Sequence, residues 1–323
     1  MDKGNALVRG FLADWASVVS EHEPLAPHTW FGLGGCAHWM AQPQTAEQLG
    51  ALVRRCGQEG VPLRILGLGS NLLVSDDGVE GVVVRLKSAA FREVAWGSPQ
   101  SGTSDEVAVK AGGGVDMSRL ILDATRRGLS GLECMGGIPG TVGGAVRMNA
   151  GGRFGTISQV VRDVTVVDAT AGQRRLSHDE VGFGYRHTNL GDAAVCRATL
   201  VLRRDDPAKV RERLLAVWEH KQQTQPLGGC SAGCVFKNPP GYSAGELIDR
   251  ARLKGRSVGG AAVSQRHANF ILVKEGATAA DVMKLIGIIR REVANRFGVE
   301  LELEIQVWGR WAARDWVGNG VPQ

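Results

Sequence analysis

The chain has 323 residues, 43% of them apolar and 22% charged, a balance that gives a folded protein of about two domains and excludes a disordered chain. Its 45 glycines follow no fixed period, which excludes a collagen-like helix, and they cluster between apolar runs as tight turns and close backbone approaches. The net charge of +5 permits an anionic ligand, but without a run of five or more Lys/Arg no nucleic-acid partner is expected.

Residues 1–25 carry acidic side chains and lack the apolar core of a secretion signal. No stretch reaches the roughly 18 apolar residues of a membrane helix. A cytoplasmic chain with no membrane partner is therefore expected, with reduced thiols. Of the six cysteines, Cys36, Cys56, Cys134, Cys196, Cys230 and Cys234, only the last two lie close together. A C-x3-C pair with no second pair and no nearby histidine is a poor zinc pattern, so no metal is expected.

In chain order, the first predicted helix begins at Thr45, with Gln48 three residues on in a capping-box pattern and Leu49, Leu52 and Val53 at helical spacing. Short β-rich runs follow at 65–66, 72–74, 82–84 and 107–109. A helix after Asp116 carries Leu120, Ile121 and Ala124 on one face and stops at Gly128. Further strands are predicted at 161–167, around Leu176 and at 198–202. A third helix starts at Asp206 with Pro207 in its first turn, then Val210, Leu214 and Val217. The last starts at Thr278, carries Val282, Leu285, Ile286, Ile289, Val293 and Phe297 as an apolar stripe, and ends at Gly298. Short strands with turn signals and a few helices predict an α+β fold rather than a βαβ repeat. Seams fall at 203–207 and 224–232, and no internal repeat is evident.

Five segments are candidates for chemistry. In Ile65-Leu-Gly-Leu-Gly-Ser-Asn-Leu-Leu-Val74, Gly67 and Gly69 suggest a nucleotide loop. Leu72 occupies the place of the last glycine of G-x-G-x-x-G, and a strand follows instead of a helix, which speaks against a Rossmann turn. A plain glycine-rich turn, or a phosphate cradle with Ser70 and Asn71, remains. The run Gly136-Gly-Ile-Pro-Gly-Thr-Val-Gly-Gly-Ala145 has five glycines in ten residues. It suits an anion nest, with close packing alone as the alternative. Two such loops suit a pyrophosphate held between subdomains.

Cys234, in Ser231-Ala-Gly-Cys-Val-Phe-Lys-Asn-Pro239, is either a buried inert thiol or an exposed reactive group beside Lys237 and Asn238. Tyr185-Arg186-His187-Thr188 is the fourth segment. The fifth is Leu301-Glu-Leu-Glu-Ile305, where Glu302 and Glu304 alternate with apolar residues in a strand-like pattern. Ordinary solvent-facing side chains are the plain alternative for both.

Taken in order, these motifs resemble the UDP-N-acetylenolpyruvoylglucosamine reductase family. The resemblance runs from His28-Thr-Trp-Phe-Gly-Leu-Gly-Gly35 to Gly309. It includes Leu66-Gly-Leu-Gly-Ser-Asn-Leu-Leu73, Gly131-Leu-Glu, the run at 137–145, Met148-Asn-Ala-Gly, Tyr185-Arg186 and Thr224-Gln-Pro. It continues through Ala232-Gly-Cys-Val-Phe-Lys-Asn-Pro, Leu247-Ile-Asp, Leu253-Lys-Gly, Val263-Ser and His267-Ala-Asn-Phe. Their order and spacing resemble the shorter, type II form of the family.

The resemblance implies two α+β subdomains that hold FAD non-covalently, in the vanillyl-alcohol-oxidase/PCMH manner, and an α+β domain over the substrate. The expected division is 1–88 with the returning tail 305–323, then 89–205, then 206–304. The FAD contacts expected are Gly67, Gly69, Ser70, Asn71 and Leu72 on one loop. Gly137, Ile138, Pro139, Gly140, Thr141, Gly143, Gly144 and Ala145 are expected on the other. The implied activity is NADPH-dependent reduction of UDP-N-acetylglucosamine enolpyruvate to UDP-N-acetylmuramate by a monomer, in peptidoglycan precursor synthesis. Arg186, Cys234 and Glu304 carry over as catalytic residues: the enolate-stabilising arginine, the general acid and the catalytic glutamate. Tyr185, Lys237, Asn238 and His267 carry over as substrate contacts. Cys234 stands where serine is common, Leu303 where proline is, Gln306 where arginine is and Lys274 where asparagine is. An exposed thiol acid at Cys234 would also raise sensitivity to oxidation.

Overall fold

In the computed structural model, residue 12 and residues 15–97, 105–170, 172–226 and 228–311 are described. The first unit contains β1 (Val19–Pro24), β2 (Cys36–Ala41), α1 (Ala46–Gln58), β3 (Leu63–Ile65), β4 (Leu72–Val74) and β5 (Val79–Val84). Its sheet runs β1-β2-β5-β3, with β1 antiparallel to β2 and both β2 and β3 parallel to β5. Val82, Val83 and Val84 are all buried, as expected of a parallel strand covered on both faces. Helix α1 buries Leu49, Leu52, Val53 and Cys56, one helical stripe. The Thr45 side chain accepts from the Gln48 amide at 3.2 Å, but Gln48 Oε1 accepts from Gln44 N. The predicted capping box is thus half formed, with its return bond one residue early.

The second unit contains β6 (Val94–Trp96), β7 (Glu106–Gly112), α2 (Met117–Arg126), β8 (Leu129–Ser130), α3 (Val142–Arg147), β9 (Val161–Asp168), β10 (Gly172–Ser177) and β11 (Ala194–Arg204). The antiparallel sheet runs β10-β9-β11-β7-β6, with β8 also on β11. Its core includes Val109, Leu120, Val146, Val164, Leu200 and Leu202. Asp116 caps α2, and Gly128 follows it with φ +65°, the predicted start and stop. Helix α3 starts inside the run predicted as a glycine loop and ends two residues beyond it. Thr141 Oγ1 accepts from Gly144 N and turns the end of that run into a helix. A Cβ at Gly143 would lie 3.0 Å from the Gly113 carbonyl, so glycine lets α3 sit against the sheet backbone. Asp163, buried in β9, accepts from Arg175, Arg162 and Thr199.

The remaining elements are α4 (Pro207–Thr224), α5 (Ala244–Arg250), β12 (Ser257–Val258), β13 (Ala261–Val263), β14 (Ile271–Val273), α6 (Ala279–Phe297) and β15 (Gln306–Trp308). Asp206 caps α4. This helix packs on the second unit: Leu214 meets that core, and Arg213 Nε lies 2.9 Å from Glu133 Oε1. Helix α6 has the capping box of Thr278 and Asp281, and Gly298 ends it at φ +66°. It buries Val282, Leu285, Ile286, Ile289 and Val293 in a core shared with β13, α5 and Leu301. The predicted stripe also included Phe297, which is only partly buried at its edge.

After α6 the chain returns to the first unit, where β15 pairs in parallel with β4 and sets Gln306 opposite Leu72. Asp76 accepts from Ala279 N and Ala280 N at 2.9 and 3.0 Å, tying the α6 start to the first unit. The strand-like alternation at 301–305 yields a single bridge, Leu303 to Phe236. It does place Leu301 and Ile305 inside, with Glu302 exposed.

Candidate active site

Residues 118 positions apart meet first: Arg186 Nε donates to Glu304 Oε1 at 2.7 Å, and both side chains are largely covered. Arg186 sits in a tight turn, where Gly184 N donates to His187 O, and has φ +54°. A left-handed backbone is uncommon for such a residue and marks a conformation fixed by its surroundings. Buried Asn149 supplies the fixing bond, with Nδ2 donating to Gly184 O at 2.9 Å. Arg186 Nη2 donates to Gly151 O at 2.7 Å. Among the described residues Nη1 carries no hydrogen bond.

The Glu304 backbone is pinned on both sides. Its N–H donates to Val235 O at 2.8 Å, and its carbonyl accepts from Asn71 Nδ2 at 3.1 Å. Burial pushes its carboxyl upward, and the Arg186 charge and hydrogen bond pull it back. Glu302, two residues earlier, faces outward and pairs with Lys237 Nζ at 3.5 Å.

Cys234 follows Gly233, whose φ is +81°, and bridges to Phe270. Burial, then the Glu304 charge, push its thiol up to about 12, with Arg186 and Lys221 acting the other way. The thiol is half-buried and stays protonated at neutral pH, which corrects the exposed reactive group read from its polar flanks. Burial of the thiol works against the expected sensitivity to oxidation, because the thiolate is the reactive form.

Lys221, at the end of α4, donates to Gly136 O at 2.6 Å. Burial pushes it down to about 8, and it acts electrostatically on Cys234. No motif marked this lysine in the sequence. Asn149 was quoted only as part of a motif.

Tyr185 is exposed, and its hydroxyl accepts from Asn238 N at 3.2 Å. The Asn238 side chain accepts from Ala244 N at 2.9 Å, and so holds the start of α5. His267 packs edge-on to Phe270, and its Nδ1 accepts from Asn269 N at 3.2 Å. Burial pushes it down, toward the neutral ring. The structure thus gathers Arg186, Glu304 and Cys234 in one cluster, with Tyr185 and Asn238 adjoining.

The two glycine-rich loops also meet, where Ser70 Oγ donates to Pro139 O at 2.8 Å. Beside them is a cavity of about 200 Å³, lined by Gly67, Thr141, Gly143 and Gly144 among the predicted cofactor residues. Gly69, Ser70, Asn71, Leu72, Gly137, Ile138, Pro139, Gly140 and Ala145 are not on its wall. Leu72 is buried in β4, Ile138 packs on the second core, and a Cβ at Gly69 would meet His28 O at 2.0 Å. Unpredicted are Gly113, Gly114, Arg85, Lys87, Arg92 and Arg147. The Gly112-Gly-Gly114 run was visible, but nothing in the sequence marks these cations. A Cβ at Gly114 would lie 1.9 Å from Leu86 O.

The cavity fits an anionic dinucleotide by three features. Four cations and only Asp116 as carboxylate line it. Its glycines let neighbouring backbone close around it, as at Gly113 against Val195 O and Gly114 against Leu86 O. Arg85 Nε is buried with no hydrogen-bond partner, and such a donor is costly unless a ligand meets it. Its volume is below the roughly 300–1,000 Å³ of drug-sized sites, so it would hold one section of a dinucleotide.

A glycine-rich, cation-lined cavity in an α+β frame suits an anionic dinucleotide, and likeness to known proteins sets the class: an FAD-binding oxidoreductase. The family model described as an FAD binding domain matches residues 37–177. A second, the C-terminal domain of UDP-N-acetylenolpyruvoylglucosamine reductase, matches residues 225–308. UDP-N-acetylenolpyruvoylglucosamine reductase 2 of Symbiobacterium thermophilum is 43% identical over 293 residues, 90% of this chain and 92% of its own. The reductase of Moorella thermoacetica is 44% identical over 292 residues, 90% and 93% of the two chains. The crystal structure of the Thermus caldophilus enzyme superposes with a TM-score of 0.75 at 37% identity, covering 90% of this chain and 98% of that one. The chain belongs to the UDP-N-acetylenolpyruvoylglucosamine reductase family.

Among the described residues, no helix is long and apolar enough to cross a membrane, and no group of three or more His, Cys, Asp or Glu could hold a metal.

Proposed function

We propose that the protein reduces UDP-N-acetylglucosamine enolpyruvate to UDP-N-acetylmuramate with NADPH, as a cytoplasmic monomer supplying peptidoglycan precursors. The Arg186–Glu304 pair with Cys234 beside it carries this reading. It offers a permanent cation, a buried carboxyl and a protonated acid at one place, as reduction next to a carboxylate requires.

Arg186 would take the substrate carboxylate on Nη1, since Nε and Nη2 are held by Glu304 and Gly151. Its charge is fixed and half-buried, so it stabilises the enolate-like charge that grows during reduction. Cys234 would give its proton to the carbon beside the carboxylate. A thiol pushed up to about 12 still donates readily to a carbanion, which is a far stronger base. Glu304 holds the guanidinium in place. Tyr185, Lys237, Asn238 and His267 would meet the rest of the substrate, Asn238 chiefly by ordering the start of α5.

FAD, when bound, would supply the hydride chemistry. Gly67, Thr141, Gly143 and Gly144 would hold it from the cavity, while Ser70 and Asn71 tie the loops to one another and to Glu304. Gly69, Leu72, Gly137, Ile138, Pro139, Gly140 and Ala145 would shape those loops. The proposed division is 1–88 with 305–323, then 89–205, then 206–304, with α4 opening the third segment while packed on the second.

The test is anaerobic NADPH oxidation with and without UDP-N-acetylglucosamine enolpyruvate. Substrate-dependent oxidation that yields UDP-N-acetylmuramate is expected. A flavin-loaded protein indifferent to that substrate would overturn the reading.

A further inference from the structure

Arg85 follows β5 and enters the cavity wall with an oddly chosen partner. Its Nη1 lies 2.9 Å from His28 Nδ1 and 3.5 Å from His28 Nε2, and His28 Nε2 lies 3.4 Å from Glu23 Oε1. A guanidinium only donates, so the nearer nitrogen, Nδ1, is the one that accepts and carries no proton. The ring proton then sits on Nε2 and points at Glu23. The chain Glu23–His28–Arg85 therefore favours the neutral tautomer with its proton on Nε2 and holds Arg85 against the ring. Burial, then the Arg85 charge, push His28 down, which keeps that tautomer at neutral pH. The charged groups facing His28 are Arg85, Lys87 and Glu23. Meanwhile Arg85 Nε stays buried without a partner, although the side chain lines the cavity with Lys87 and Arg147.

We propose that His28 and Glu23 are positioning residues that hold Arg85 for a phosphate of the bound dinucleotide, and that protonation of His28 releases it. The proposal rests on the FAD reading of the cavity. A protonated ring would set an N–H against the guanidinium, so Arg85 would swing away and its phosphate contact would be lost. Binding should thus weaken as pH falls. The contact is to phosphate, so a flavin lacking phosphate should not register it.

The test strips flavin from the holoprotein and measures return of FAD, and separately of riboflavin, by fluorescence quenching. R85M should weaken FAD binding by about tenfold to a hundredfold and leave riboflavin binding unchanged. H28A should weaken FAD by about tenfold, and E23Q by less. H28N keeps an oxygen acceptor in the place of Nδ1 and should recover most of the loss. From about pH 8 to about pH 5.5, FAD affinity of the parent should fall while that of H28N stays flat. Thermal unfolding of each flavin-free variant separates a folding defect from lost binding.

Equal loss of FAD and riboflavin in R85M would overturn the phosphate assignment. So would unchanged FAD affinity in H28A, or the same pH slope in H28N. A parent protein that takes up no FAD would sink the cofactor reading itself, a result distinct from these.

Discussion

The cation-lined cavity and the Arg186–Glu304–Cys234 cluster are built by opposite means. The cavity depends on close backbone approaches: at Gly114 a Cβ would collide with Leu86 O at 1.9 Å, and at Gly113 with Val195 O at 2.0 Å. The cluster is side chain on side chain, with Arg186 and Glu304 joined across 118 residues. Glycines announce a close approach in the sequence itself. An ion pair made by folding announces nothing until its partner is known. The same contrast recurs between Glu302 and Glu304, which alternate identically in the sequence but differ in everything that matters chemically.

Substitutions at those two carboxylates break the comparison most sharply. E304Q keeps the shape and removes the charge that holds Arg186. It should lower kcat by about a hundredfold with flavin content unchanged, as steady-state rates and flavin absorbance would show. Equal flavin loss would place Glu304 in the frame of the fold rather than in the reaction.

Behind the cavity, Asp163 tests the sheet. Its burial works against ionisation, yet hydrogen bonds from Arg175, Arg162 and Thr199 bring it down to about 2. Its folded value lies below its unfolded one, so its stabilisation is full above about pH 4 and is lost as pH falls toward about 2. D163N should therefore cost about 2 kcal/mol at pH 7, measured by denaturant midpoints, and progressively less below about pH 4.

G114A should act on the other region alone. A forced shift of the Leu86 backbone should weaken flavin retention about tenfold, with about 1–3 kcal/mol of lost stability, and leave the cluster intact. Rates per bound flavin near the parent value would support the separation of the two regions.

Smaller still is the effect of peroxide. Cys36 and Cys230 are exposed, whereas Cys234 is half-buried and pushed up to about 12. Mass spectrometry should find the first two oxidised before Cys234. Last, E302Q should change kcat less than about twofold, in line with an exposed pair's small energy.

The parts of the fold legible in the sequence are those decided locally. Asp116, Asp206 and Thr278 each cap a helix where predicted, because a cap needs only its own first turn. The valine runs at 82–84, 107–109 and 161–167 form strands for similar reasons. The strands Ser257–Val258, Ala261–Val263 and Ile271–Val273 went unpredicted. Two or three residues carry too little periodicity, and packing under α6 decides them. Helix α3 was hidden because its glycines read as loop, while Thr141 and the close sheet backbone decide otherwise.

In the site, the motifs carried the positions of Arg186, Cys234 and Glu304, but not their state. The polar neighbours of Cys234 suggested exposure, and burial overrode them. Arg85 and Lys221 were illegible, since a lone cation in a sequence gives no sign of which cavity it will face.

The proposed division of labour has the cavity keep the flavin while the cluster directs reduction to the enolpyruvyl group. The most direct measurement is the rate at which UDP-N-acetylglucosamine enolpyruvate reoxidises the reduced flavin in R186M and in the parent, followed anaerobically by stopped-flow absorbance. Full flavin content is expected in both, with a rate lower by about 10²–10³-fold in R186M. Equal rates in the two proteins would contradict it.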